Sequence, residues 1–152
     1  MIALLQRVSE ASVHVAGERI AHTGAGLLVL AAVERHDGPA EARRLAERIV
    51  AYRVFADEQG RMNLDVRQSG GGILLVPQFT LAADTRKGNR PGFSTAAEPA
   101  AGRELFETLA RCIGELGVPL ATGRFGADMA VSLVNQGPVT IWLRVPPAAP
   151  PS

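Results

Sequence analysis

Short apolar runs separated by polar turns recur along the whole chain, and their periods differ from one stretch to the next. Residues 2 to 8 and 11 to 15 predict two short strands, the second alternating Ala11, Val13 and Val15 against Ser12 and His14. "AGERIAHTGAG" then supplies glycines for turns on either side of another short strand. "LLVLAAV", 27 to 33, has no alternation and predicts a strand buried on both faces. At Asp37 the period changes: Ala42, Leu45, Ala46, Ile49 and Val50 repeat at helical spacing, with Asp37 as the expected cap and Pro39 in the first turn. The outer face of that helix carries Arg43, Arg44, Glu47 and Arg48, the pattern of a solvated surface.

"YRVFADEQGRMNLDVRQSGG" predicts a strand, a turn at Glu58 to Gly60, and a loop returning to the apolar run "ILLV". A second helix is expected from about Glu98 to Leu116, with Leu105, Leu109, Cys112, Ile113 and Leu116 on one face, which makes Cys112 a core thiol. The glycines of "GVPLATG" read as turn residues. "MAVSLVNQGPVTIWLRV" holds two alternating segments, expected as two strands broken by a turn at Asn-Gln-Gly-Pro. The expected domain spans 1–145. The remainder, 146–152, is proline-rich and is expected to be a disordered, unpacked tail.

Composition narrows the chemistry. A chain of 152 residues, 47% hydrophobic and 20% charged, fits one core, and a net charge of +1 leaves any nucleic-acid contact to a local patch. One cysteine excludes an internal disulfide and suits a reducing cytoplasm; no run is long and apolar enough for a membrane span. The three histidines, His14, His22 and His36, lack metal-ligand spacing, so neither a metal nor a cofactor is expected. Phosphate-cradling glycine loops and a strained serine elbow are absent as well. What remains is the loop after "ILLV", "PQFTLAADTRKGNRPGFS". It contains no His, Cys or Glu, and Thr80 has no adjacent base, so it has the character of a binding and positioning device.

The chain resembles the D-aminoacyl-tRNA deacylases, also called D-tyrosyl-tRNA deacylases, over almost its whole length. The resemblance is carried by "MIALLQRVSEASVHVAGE", "GAGLLVL", "RMNLDV", "QFTLAADTRKGNRPGFS" and "GRFGADMAVSLVNQGPVTIWL", and above all by two motifs. These are SQFTL, here Pro77-Gln78-Phe79-Thr80-Leu81, and NxGPxT, here Asn135 to Thr140. Pro77 stands where the family motif has serine. It offers neither a hydroxyl nor a backbone N–H, which bears on substrate preference more than on reaction class.

The resemblance implies hydrolysis of the ester joining a D-amino acid, or glycine, to the 3′-terminal adenosine of tRNA, a chiral proofreading step of translation. The protein orients the ester and stabilises its oxyanion, and the ribose 2′-hydroxyl assists the attacking water. It implies catalytic roles for Gln78, Phe79 and Thr80, with the Phe79 and Thr80 N–H groups as donors. The Phe79 ring itself is expected in the core. Substrate contacts fall to Pro77, Met129, Asn135, Gly137, Pro138 and Thr140. Arg86, Lys87 and Arg90, with only Asp84 opposing them nearby, are the expected tRNA contacts. It further implies a homodimer in which a cis Gly137-Pro138 dipeptide reaches the partner's active site. The expected fold is α+β, mostly antiparallel sheets curled into a barrel-like core with two main flanking helices. A non-catalytic tRNA-binding module, a small-molecule binding domain, and a deacylase whose preference Pro77 has altered are the competing readings.

Overall fold

The computed structural model describes residues 1–149. β1 (Ile2–Val15) leads into β2 (Glu18–Thr23) and β3 (Gly26–Ala32), after which the chain crosses over through α1 (Pro39–Ala51). A small hairpin, β4 (Phe55–Ala56) and β5 (Met62–Leu64), precedes β6 (Gly72–Pro77) and a 3₁₀ turn at Phe79–Ala82. α2 (Pro99–Glu115), β7 (Leu120–Thr122) and the long β8 (Ala130–Arg144) complete the order. The main sheet runs β2-β1-β3-β6-β7 with β8 on β1, and β7 returns beside β2, so the sheet is a nearly closed barrel with both helices on its outside.

β1 with β2, β3 and β8 is antiparallel, whereas β3-β6 and β6-β7 are parallel. The parallel pairs were not foreseen, yet they follow from the chain order. Each helix sits between two strands of one sheet, and such a crossover returns the chain in the same direction. The continuous apolar runs match this arrangement. Leu27, Val29, Ile73 and Leu75 pack under the helices, while Leu28, Leu74 and Val76 fill the barrel with Val8 and Val13.

Two expectations about elements are corrected, and one strand was not anticipated. Residues 2 to 15 form one strand, because β8 pairs along nearly all of it while the opposite edge passes from β3 to β2. Residues 130 to 144 are likewise one strand: both halves pair antiparallel with β1, so "NQGP" cannot reverse the chain and forms a bulge instead. In "GVPLATG" both glycines lie outside regular structure, Gly117 at a turn, but the residues between them include β7, three residues long and too short to show a period.

Gly38 is the N-cap of α1, with Glu41 accepting a hydrogen bond from the Gly38 N–H at 2.7 Å. Asp37 does not cap it. Its carboxylate accepts from the Glu34 N–H at 2.6 Å and from the Met1 ammonium at 2.9 Å. Burial holds Asp37 above the usual carboxylate range against these contacts. α2 ends at Leu116 and Gly117, whose positive φ of 84° lets the chain turn away. Cys112 is buried against α1. Residues 146 to 149 have no regular structure, although the Ala148 N–H donates to Glu41 at 3.2 Å; positions 150–152 of the expected tail lie outside the described residues. Among the described residues no helix is long and apolar enough to cross a membrane.

Candidate active site

β6 delivers the loop. Its last residue, Pro77, lies opposite Ala31 of β3, and the Gln78 N–H closes the ladder on the Ala31 carbonyl at 2.8 Å. Proline is tolerated because it ends the strand. The backbone then coils at once into the 3₁₀ turn, whose first N–H groups have no carbonyl behind them. Among the described residues the N–H groups of Phe79 and Thr80 donate no hydrogen bond, whereas those of Gln78, Leu81 and Ala83 do.

Beside this turn lies a cavity of about 470 Å³, within the size range of small-ligand sites. Pro77, Gln78 and Phe79 form one wall; Phe106 of α2, Phe125 and Met129 form the others. Asp128 is the one ionisable side chain among its described lining residues, so no side-chain nucleophile and base face each other there. Gln78 Nε2 donates to Thr80 Oγ1 at 2.5 Å, and among the described residues no base accepts the Thr80 proton. Four sequence-derived residues, Pro77, Gln78, Phe79 and Met129, thus meet at one cavity, with Thr80 next along the turn.

The ring of Phe79 is not in the core. It is 58% exposed and packs against the exposed Phe93 ring with centroids 5.0 Å apart. The tight turn lifts residue 79 off the sheet, so a position that would be interior in a continuing strand faces outward.

The basic loop is closed by paired backbone hydrogen bonds between Asp84 and Gly92, at 2.7 and 3.1 Å. Arg86 is not free. Its guanidinium binds the Asp84 carboxylate through Nε at 2.8 Å and NH2 at 2.7 Å, and these bonds hold Asp84 down to about 2. Lys87 and Arg90 are exposed and form no ion pair among the described residues.

The Asn135–Thr140 motif stands apart. In the β1-β8 ladder Thr140 faces Gln6 and Asn135 faces Val8, so residues 136 to 139 bulge out opposite Arg7. Asn135 braces the bulge: its Nδ2 donates to Thr140 Oγ1 at 2.9 Å and its Oδ1 accepts from the Val139 N–H at 2.8 Å. The Gly137-Pro138 bond is cis. None of Asn135, Gly137, Pro138 and Thr140 lines this cavity.

Sequence reasoning missed Arg7. Its Nε donates to the Gln136 carbonyl at 2.9 Å and its NH1 to the Val54 carbonyl at 2.7 Å, tying the bulge to the segment before β4. The available signal was a charge inside the apolar strand "IALLQRV". Phe106 and Phe125 were also missed, because only the fold brings α2 and the 124–129 segment to the loop. His14, His22 and His36 join no cluster of three or more potential metal ligands among the described residues.

Comparison with known proteins gives this geometry a family. A family model described as "D-Tyr-tRNA(Tyr) deacylase" matches residues 4–144. The D-aminoacyl-tRNA deacylase of Thioalkalivibrio sulfidiphilus is 62% identical over 147 residues, covering 97% of this chain and 99% of its own. Of the solved structures, one described as "c-Myc DNA Unwinding Element Binding Protein" has a TM-score of 0.92 at 36% identity, over 96% of this chain and 99% of that one. A second, "Structural Analysis of a probable eukaryotic D-amino acid tRNA deacylase", shares the fold at a TM-score of 0.79 and 15% identity, over 93% and 97%. The matches over nearly the full length place the chain among hydrolases that act on aminoacyl-tRNA. It belongs to the D-aminoacyl-tRNA deacylase family.

Proposed function

We propose that this cavity hydrolyses the ester of D-aminoacyl-tRNA, and of glycine carried by a non-cognate tRNA, as a chiral proofreading step of translation in the cytoplasm. The observation that carries the reading is the pair of unbonded N–H groups at Phe79 and Thr80, beside a cavity without a side-chain nucleophile and base. Water adds to the ester carbonyl with assistance from the ribose 2′-hydroxyl, and the two N–H groups receive the negative charge on the carbonyl oxygen. The acyl–oxygen bond then breaks, leaving the D-amino acid and a tRNA with a free 3′-hydroxyl. A single preorganised donor of this kind is worth about a hundredfold to a thousandfold in rate.

A second copy completes the site. The bulged Gly137-Pro138 projects from β8 and does not reach its own cavity, and Phe79, Phe93, Val134 and Trp142 are exposed large apolar side chains suited to burial between protomers. A backbone wall supplied in this way rejects an L side chain by the configuration at Cα, with little regard to side-chain type. Pro77, which lines the cavity, acts on substrate range and leaves the reaction itself unchanged.

The test is deacylation of matched D-, L- and glycyl-tRNA, alongside a D-aminoacyl-tRNA ending in 2′-deoxyadenosine. Turnover of the D and glycyl esters, sparing of the L ester and strong impairment of the deoxy substrate are expected, with Thr80→Ala retaining measurable activity. A dead Thr80→Ala variant with an unaffected deoxy substrate would point to a threonine nucleophile. Salt-sensitive tRNA binding with no turnover would leave a binding module.

A further inference from the structure

We propose that Arg103, held over the Phe125 ring beside the cavity, binds the 5′-phosphate of the substrate's terminal adenosine nucleotide. The inference rests on the deacylase reading above, because it supposes that the ribose ester enters the cavity.

Arg103 lies near the start of α2, and its guanidinium carbon stands 5.0 Å from the centroid of the Phe125 ring. Phe125 and Gly126 both line the cavity, and NH2 of Arg103 is 3.8 Å from the point where a Cβ on Gly126 would sit. Arg103 does not itself line the cavity, and its charge stands next to two residues that do. Gly102 allows it: a Cβ there would stand 3.4 Å from Phe125 Cζ, so the glycine lets the ring lie close to the helix, beneath the guanidinium.

What Arg103 leaves unused is equally informative. On an exposed helix an arginine can pair with a carboxylate four residues along, as Arg111 does with Glu115 at 3.9 Å, although Arg43 and Glu47 at the same spacing do not. Arg103 has Glu107 at the same spacing, exposed, yet neither Glu107 nor any other described carboxylate comes within 4.0 Å of it. Glu98 pairs with Arg35, and Asp128, which lines the same cavity, also lies beyond ion-pair distance of Arg103. The contact with the Phe125 ring holds the charge without a counter-ion, at 5.0 Å from the guanidinium carbon to the ring centroid. The N–H donors meet no carboxylate among the described residues, and this fork suits a phosphate. An ester held at the Phe79 end of the cavity has its ribose inside and the C5′ phosphate as its nearest anion, on the strand leading out to the rest of the RNA. Lys87 and Arg90, in the loop that follows the Phe79 turn, are left for phosphates further along.

The test compares the D-tyrosyl 3′-esters of adenosine and of adenosine 5′-phosphate, with calorimetric titration of adenosine and adenosine 5′-phosphate in parallel. The native enzyme should favour the phosphorylated compound by roughly tenfold or more in both kcat/KM and affinity, as expected for a charge-assisted contact. In Arg103→Gln the ratio should fall to near one, and Arg103→Lys should restore part of it. No preference in the native enzyme would overturn the proposal, as would a ratio that survives in Arg103→Gln. Equal losses on both compounds would also refute it, since they would mean that Arg103 only supports the Phe125 ring. Should neither ester turn over while the binding ratio still collapses in Arg103→Gln, the phosphate subsite stands and the hydrolase reading falls.

Discussion

Replacing Gly137 by alanine perturbs the bulge where the least space is left. Gly137 has φ of +138°, a region that side chains rarely adopt, and such strain costs about 1–3 kcal/mol. A Cβ there would stand 2.9 Å from Val139 Cγ2, 3.0 Å from Arg7 NH2 and 3.2 Å from the Val139 nitrogen. The Val139 nitrogen is held by its bond to Asn135, so the side-chain ends at Val139 Cγ2 and Arg7 NH2 must yield, and moving Arg7 weakens its bonds to the Gln136 and Val54 carbonyls. Losing one charge-assisted bond adds about 1.5–3 kcal/mol, and because strain and displacement overlap the sum is not additive. The expected cost is about 2–4 kcal/mol, which for a chain of this size lowers Tm by on the order of 5–15 °C. Thermal unfolding followed by circular dichroism measures it. Gly60→Ala is the control, since φ there is also positive, at 79°, but nothing lies within 4 Å of the added Cβ. It should lose only the strain, about 1 kcal/mol or somewhat more. In an Arg7→Ala background the further cost of Gly137→Ala should shrink. Equal Tm losses for the Gly60 and Gly137 variants, or full additivity with Arg7→Ala, would refute the assignment of Arg7 as the crowded neighbour.

The charged loop separates into two behaviours. Lys87→Ala with Arg90→Ala should flatten the salt dependence of tRNA binding by about 1.4 in log–log slope if both meet phosphates, measured by filter binding at varied salt. Arg86→Ala should act on Asp84: a carboxyl NMR titration should show its midpoint rising from about 2 towards the ordinary range. Because the folded value is depressed, the stabilisation from this pair is complete above the unfolded value and disappears only as pH falls through about 2. Glu41→Ala removes the acceptor for the Gly38 and Ala148 N–H groups and should cost about 1–2 kcal/mol, read from urea midpoints. The Gly38 bond lowers the Glu41 carboxyl below its usual range, so that cost should diminish as the pH drops through the folded value. Gly26→Ala would set a Cβ 1.9 Å from the Gly72 carbonyl oxygen, and the variant should lose more than about 4 kcal/mol or fail to yield folded protein on expression.

How far the sequence alone reaches depends on the range of the interaction that sets each feature. Both helices were legible because their apolar spacing and their prolines act locally, and "LLVLAAV" showed its two-sided burial through the absence of alternation. The continuity of β1 and β8 was not, since each is held straight by a partner more than a hundred residues away. β7 is a strand only because β6 lies next to it. The same division runs through the site. Gln78 and Phe79 were named from a motif and Met129 from a longer stretch of resemblance, and all three line the cavity, while Phe106 and Phe125 come to it only when α2 docks against the segment that follows it. The exposure of the Phe79 ring depended on a 3₁₀ turn that no period announces.

The pairing of β1 with β8 also sets a timetable for the newborn chain. Residues 2 to 14 find their neighbour in residues 130 to 144, and at about 5–20 residues per second the ribosome needs very roughly 6–25 s to make the stretch between them. Throughout that interval β1 can be satisfied on one edge only, by β2 and β3, with a row of amide and carbonyl groups open on the other. The hairpin-like beginning can form early, yet the barrel cannot close until the last strand arrives, which makes contacts of long sequence separation the final step of folding. Incomplete chains that stop before β8 would carry an unprotected strand edge and should gather on chaperones or aggregate.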